Sequence, residues 1–282
     1  MTQREIFIPA NAHQLIPALI MAEANPAVVD PRSSSGPIIV RQFRPQDAPQ
    51  VHALLIEGFA YGPESPCNTA LRRNWSSRVA CATYVGFALG LVCLWNKNPL
   101  LRLCGAIFCV GAAGLLVCVR RAIIQMFAVF CATARKTDMA DIPASYEVPL
   151  SVDGIQPPPE QGPGGFWIAA IDSPDLKTSE VVSYLGLDYR ANADPSSGEL
   201  RRMIVSMHHR RRRIASLLIT AAMEHARHSP PLESLDLETT EFQPGAQKLY
   251  ENHGFSVVGS RVMRMGPLFS MTVLRFRRRL AE

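Results

Sequence analysis

The sequence predicts an α/β fold: a mixed central sheet with flanking helices, interrupted by an inserted hydrophobic helical hairpin. Three observations carry that expectation. The elements read in the order strand–helix, insertion, strand–strand–strand–helix, strand–helix, strand–strand. Two adjacent runs, VACATYVGFALGLVCLW (79–95) and LCGAIFCVGAAGLLVCV (103–119), carry no charge. One strand–helix junction reads HHRRRRIA (208–215), with four arginines where the chain leaves a strand and enters a helix.

Residues 1–36 are rich in Pro, Ala, Asn and Ser, end in PRSSSG and read as a flexible leader, with a short helix near His13–Ala24. No apolar run follows the basic residues at the start, so no cleaved signal peptide is expected. IIVRQF (38–43) has strand character. Val51, Leu54, Leu55 and Phe59 are spaced for a helix in RPQDAPQVHALLIEGF (44–59). Residues 37–78 thus hold the first strand and helix of the folded domain.

The two charge-free runs follow, joined by the short NKNPLLR. Each is near the minimum of ~17 residues that spans ~30 Å of hydrocarbon. They predict a hairpin that crosses a bilayer twice or enters it as a re-entrant wedge; the competing reading is a buried helix pair in a soluble core. Arg72, Arg73 and Arg78 precede the hairpin, and Arg120, Arg121, Arg135 and Lys136 follow it. The positive-inside rule then puts both soluble parts on the cytoplasmic side. AIIQMFAVFCATA (122–134), interrupted by Gln125, is expected to lie along the interface or on the domain, closing a membrane-associated stretch of 79–134.

Residues 135–164 read as a connector, with the Pro/Gly-rich SVDGIQPPPEQGPGG (151–165) at its end. The main domain, 165–282, then runs through strands GFWIAAID (165–172) and VVSYLGLDY (181–189), joined by the turn SPDLKTSE, and ELRRMIVSM (199–207). A helix at 212–228, a strand at 232–240 and a short helix at 244–253, opened by Pro244 and stopped at Gly254, come next. FSVVGSRVMRMG (255–266) and LFSMTVLRF (268–276) close the chain as a strand pair.

Composition narrows the class. With 48% hydrophobic and 19% charged residues the 282-residue chain is too apolar to be disordered. Its net charge of +5 favours an anionic partner without identifying one. All seven cysteines fall between Cys67 and Cys131, without a C-x-x-C pair or zinc spacing. They read as small buried hydrophobes rather than a disulfide framework.

At the arginine junction, Ile214, Leu217, Leu218, Ala221, Ala222 and His225 form one helical stripe. The first four N–H groups of that helix have no intrahelical partner, and with the helix dipole they favour an anion. Arginines there oppose the dipole by a few tenths of a kcal/mol, a conflict that a bound phosphate removes. The junction therefore points to a diphosphate-bearing cofactor. Nucleic-acid binding is not expected, because no second arginine row follows on the helix. His208 and His209 are read as loop residues, and no metal is expected.

The junction resembles a known pattern. R-x-x-G-x-G/A, after a strand and opening a helix, marks the GNAT superfamily of N-acetyltransferases. There it implies backbone amides holding the pyrophosphate of acetyl-CoA. The matching positions are Arg210, Arg211, Arg212, Arg213, Ile214 and Ala215. Arg213 replaces the usual glycine and Arg211 stands where a second glycine is frequent, which leaves open whether these arginines strengthen phosphate binding or distort the loop. LDLETTEFQPGAQKLYENHGF (235–255) is similar to the superfamily's A-x-x-L-Y-x-x-x-G-F ending through Ala246, Leu249, Tyr250, Gly254 and Phe255. RKTDMADIPASY (135–146) and FWIAA (166–170) resemble the camello-like branch, relatives of N-acetyltransferase 8. Together the resemblance covers roughly residues 38–276 and implies the GNAT fold.

It also implies an activity: acetyl transfer from acetyl-CoA to a primary amine by direct attack. The acceptor would be an amino acid, a cysteine conjugate or a protein lysine, and the enzyme would sit in a membrane, that of the endoplasmic reticulum. Tyr250 is the implied acid, and a tyrosine stays protonated at pH 7. Strand alternation sets Asp236 and Glu238 on one face, making Glu238 the first candidate for the base, with Asp236 and Glu241 as alternatives. Met203, Ile204 and Val205 would offer backbone groups to the pantetheine arm, and Gln243 stands where an asparagine often touches CoA. A catalytically silent, membrane-bound CoA-binding or scaffold protein is the alternative. The arginines from Arg275 to Arg279 read as a solvated tail, able to touch anionic lipid.

Overall fold

The computed structural model describes residues 36–149, 162–172, 179–190, 194–228, 232–264 and 269–280. The expected leader before residue 36, most of the Pro/Gly-rich connector and the core of the SPDLKTSE turn lie outside them.

The described chain runs β1 (Ile38–Gln42), α1 (Ala48–Ile56), a π-helical turn (Glu57–Tyr61), α2 (Pro66–Asn74), α3 (Arg78–Leu94), α4 (Pro99–Lys136) and α5 (Ile142–Tyr146). It continues with β2 (Gly165–Ile171), β3 (Glu180–Asp188), β4 (Ser197–Val205), α6 (Ile214–His228), β5 (Ser234–Thr240), α7 (Pro244–Asn252), β6 (Ser256–Arg264) and β7 (Ser270–Arg279). The strands form one mixed sheet in the order β1-β2-β3-β4-β5-β7-β6. Only β4 and β5 run parallel; every other neighbouring pair is antiparallel. This is the mixed sheet with flanking helices predicted from the sequence.

The sheet is covered on both faces. On one, α6 and α7 close a core of Leu218, Ile219 and Ala222 against Trp167, Leu185, Leu235, Leu237 and Phe276. On the other, α1 and α5 set Val51, Leu55, Ile142 and Tyr146 over Phe166, Ile168, Tyr184 and Ile204. Residues of β2 are therefore buried throughout, which explains its unbroken apolar run where a one-sided strand would alternate. A third cluster joins α2 and α4 (Cys67, Leu71, Val119, Ile123, Phe127) to Phe242 and to Met271 and Val273 of β7.

The inserted hairpin is α3 and α4. Ser77 caps the first, its Oγ accepting from the Ala80 N–H at 3.1 Å. Asn98 caps the second, accepting from the Leu100 N–H at 3.0 Å, ahead of Pro99. The helices touch glycine to glycine. A Cβ at Gly105 would stand 2.6 Å from the Gly90 oxygen, and one at Gly90 would stand 2.9 Å from the Gly105 oxygen. Such close approach through small residues is how helices associate where no hydrophobic drive separates them from solvent. Their outer faces are bare and apolar: Val85, Leu89, Val92, Ile107, Phe108 and Val110 are all exposed, Val110 to 73%.

Two expectations are corrected here. Residues 122–134 pack on the domain, one of the two expected places, but not as a separate segment. They are the last third of α4, a single 38-residue helix whose Ile123, Phe127, Cys131 and Ala134 are buried. Arg120 and Arg121 break the apolar run in the sequence, but both have high helix propensity and do not break the helix. Nor are all the cysteines buried. Cys67 and Cys131 are, but Cys81, Cys104 and Cys118 are exposed on the hairpin, whose outer face none of the described residues covers.

Candidate active site

The parallel pair β4–β5 is held only from Ser197↔Ser234 to Leu200↔Leu237. Both strands run on, to Val205 and Thr240, paired with β3 and β7 but not with each other, so a wedge opens between them through the sheet. Met203, Ile204 and Val205 line its β4 side.

A bulge shapes that side. Arg202 has φ +58°, and the β3–β4 register slips between Tyr184 and Gly186. A bulge re-aims side chains by one residue. Leu200, Met203 and Val205 therefore face α6, Ile204 faces α1, and Arg201 and Arg202 both lie on the α1 side. There the Arg202 guanidinium makes a two-bond contact with Asp138, Nε to Oδ2 and Nη2 to Oδ1, each 2.8 Å, and lies 5.1 Å above the Phe130 ring. The Tyr146 hydroxyl also donates to Asp138, at 2.5 Å. Burial alone would raise the Asp138 pKa, but the hydrogen bonds and charge of Arg202, with Tyr146, hold it at about 2.

Beyond β4 the chain makes a short 3-10 turn (Met207–His209) and enters the arginine loop. Arg211 and Arg213, at the family's two glycine positions, have φ +64° and +60°. The loop thus keeps the left-handed backbone that glycine normally supplies, at a steric cost to the arginines. Arg212 and Arg213 are exposed, and Ile214 is the buried first residue of α6. Arg210 is turned elsewhere: its Nη1 donates to Glu64 at 2.7 Å. Ile214 and Ala215 place free helix N–H groups at the loop's centre, so the donor set suits a pyrophosphate.

Across the wedge, Gln243 sits at the N-cap of α7. Its Oε1 accepts from the hydroxyls of Thr239 and Thr240, each at 3.2 Å, so that oxygen fixes the β5–α7 turn. Tyr250 lies on α7 within the α6-side core, its ring against Phe255 and Phe276. Burial pushes its phenol well above its ordinary pKa, which keeps it a proton donor.

The carboxylates gather on the other face. Glu238 is bound by Arg261 at 2.7 Å. Asp236 is buried and held by Arg277, at 2.6 Å, and by Arg275. Glu241 accepts from the Thr272 N–H at 2.8 Å and pairs with Arg73 at 3.1 Å. Sequence reasoning missed Glu199. It lies beside Asp236 in the register, one residue before the strands part. Burial raises its pKa, with the Glu238 charge adding to the rise and Arg201 opposing it. Its signal was available: Glu199 and Arg201 share a face by strand alternation. His209 is buried, and among the described residues no cluster of three His, Cys, Asp or Glu could hold a metal.

Comparison with known proteins agrees with this geometry. A family model described as the acetyltransferase (GNAT) family matches residues 137–255. N-acetyltransferase 8F1 of Rattus norvegicus is 29% identical over 233 residues, covering 81% of this chain and 90% of the relative. N-acetyltransferase 8F1 of Mus musculus is 27% identical over 231 residues, covering 80% and 90%. N-acetylaspartate synthetase of Danio rerio is 25% identical over 239 residues, covering 84% of this chain and 74% of the relative.

Proposed function

We propose that the chain is a GNAT acetyltransferase similar to the N-acetyltransferase 8 branch, a membrane-anchored enzyme acetylating a primary amine from acetyl-CoA by direct attack. The observation that carries this is the wedge between β4 and β5, which ends at a left-handed loop and a helix N-terminus. The loop amides of Arg211–Ala215 hold the pyrophosphate, and the free edge at Met203–Val205 receives the pantetheine arm. The thioester supplies a carbonyl carbon; the amine nitrogen bonds to it as the C–S bond breaks and the sulfur leaves as thiolate. Tyr250 donates a proton to that sulfur.

The base is one of the carboxylates beside the wedge. Glu199 suits the role better than Glu238, because burial raises its pKa and makes its carboxylate the stronger proton acceptor, while Glu238 is tied to Arg261. Arg201, Arg261 and Arg275 share that face. They support an acceptor bearing a carboxylate, as does the aspartate named in the Danio rerio relative. Full-length protein in detergent should consume acetyl-CoA with one of L-aspartate, S-benzyl-L-cysteine or a lysine peptide, the product identified by mass. Binding of CoA without acetylation of any amine would count against the proposal. Tyr250→Phe should lower kcat at least tenfold while CoA affinity changes less than twofold; equal turnover removes Tyr250 from the acid role.

For the anchor, we read the hairpin as crossing the bilayer twice. Residues 99–119 of α4 rise roughly 32 Å, the thickness of the hydrocarbon core. The base carries a belt suited to the interface: Arg120 lies 4.9 Å over the Trp75 ring, which stacks on Tyr84. The tip carries Trp95, 92% exposed, and Lys97. The flanking arginines favour a catalytic domain on the cytoplasmic side, and the branch resemblance favours the endoplasmic reticulum. Co-fractionation with a reticulum marker, and digestion of the domain by protease added outside intact microsomes, test both.

A further inference from the structure

The π-helical turn Glu57–Tyr61 has no part in the site described above, yet it crosses the end of β4. Gly58 lies so close to Ile204 that a Cβ there would come within 2.6 Å of its Cγ2. One turn on, a Cβ at Gly62 would stand 3.9 Å from the Met207 Sδ. The Gly62 N–H closes the widened turn on the Glu57 carbonyl at 2.7 Å. Such turns concentrate at functional sites. Leu54, one turn before Glu57, is buried over the same strand, which sets Glu57 on the side of the helix nearest β4. Its Oε1 is buried and accepts no hydrogen bond among the described residues.

A buried carboxylate oxygen without a donor is costly, and a fold retains one where a ligand supplies the donor. The wedge decides which ligand that is. Met203 and Val205 face α6 and the arginine loop, so the co-substrate occupies that side. The acceptor must enter from the opposite side, which the π-helical turn overlies. We propose that Glu57 binds the acceptor's ammonium group and aligns the nitrogen over the wedge before the base takes its proton. This rests on the reading of the wedge as the acetyl site.

The test uses full-length protein in detergent and whichever of L-aspartate, S-benzyl-L-cysteine and a lysine peptide the wild type acetylates fastest. Glu57→Gln keeps the shape and removes the charge. Its acceptor KM should rise at least tenfold and its acetyl-CoA KM stay within twofold. Its Tm should hold, because that oxygen accepts no hydrogen bond within the described fold. Glu57→Asp should fall between the two in acceptor KM. An acceptor KM within twofold of wild type overturns the proposal. So does a rise of both KM values together with a fall in Tm, the mark of a structural role. If the wild type acetylates none of the amines, the wedge reading fails first, and the role of Glu57 with it.

Discussion

Arg211 and Arg213 show how much backbone geometry a motif can keep after its letters change. The sequence could not say whether arginine at a glycine position distorts the loop, because φ is not written in residue identity; both positions are left-handed. A non-glycine residue held there costs of order 1 kcal/mol. Arg213→Gly should therefore raise Tm by roughly 2 °C, read by thermal shift in detergent, and Arg213→Val should lower it. Glu199 was hidden for a related reason: alternation gave its face, but its burial depends on strands far along the chain. Burial raises its pKa, so the neutral, inactive form persists to higher pH than for an ordinary carboxylate. The acid limb of the kcat/KM profile should accordingly lie above pH 4.5, and Glu199→Gln should abolish it along with most of the turnover.

Among the elements, the strands and the helices after β1 were legible from periodicity. Besides α5, a short helix inside the expected connector, the exceptions are α2, the π-helical turn, the β4 bulge and the continuity of α4. The first is short and polar at its end, and the middle two depend on packing against Ile204 and Asp138. The Asp138–Arg202 pair ties the end of α4 to that bulge. The Asp138 pKa in the fold, about 2, lies below the ordinary aspartate value of 3.8, so its stabilisation is present above pH 3.8 and lost as pH falls toward 2. Asp138→Asn should remove that loss from the acid unfolding curve. It should also cost about 3 kcal/mol at pH 7, since Arg202 is left buried and unpaired, as measured by denaturant titration. In the hairpin, Gly105→Leu should force the helices apart, because even a Cβ would meet the Gly90 oxygen at 2.6 Å; the measurement is a lowered Tm in detergent.

At the scale of the molecule, the inserted hairpin and the sheet were both foreseen, but not how they join. Two charge-free runs and six flanking arginines say that a hairpin exists. Only packing says that its second helix carries on into the domain as Ile123, Phe127 and Ala134. Deleting residues 79–119 should move the protein from the membrane to the soluble fraction; identical partition of deleted and full-length protein would mean that the hairpin is no anchor.

The unbroken α4 also makes the enzyme a ruler with a phase. The shaft from the Trp75–Arg120 belt to Asp138 has no joint. With the hairpin inserted as proposed, the height of the wedge above the lipid, and the compass direction in which it opens, are set by counting residues. Each residue inserted between Arg121 and Ile123 would lift the domain by about 1.5 Å and swing it by about 100°. Two such insertions would leave the same chemistry facing almost the opposite way, toward a different neighbourhood of acceptors.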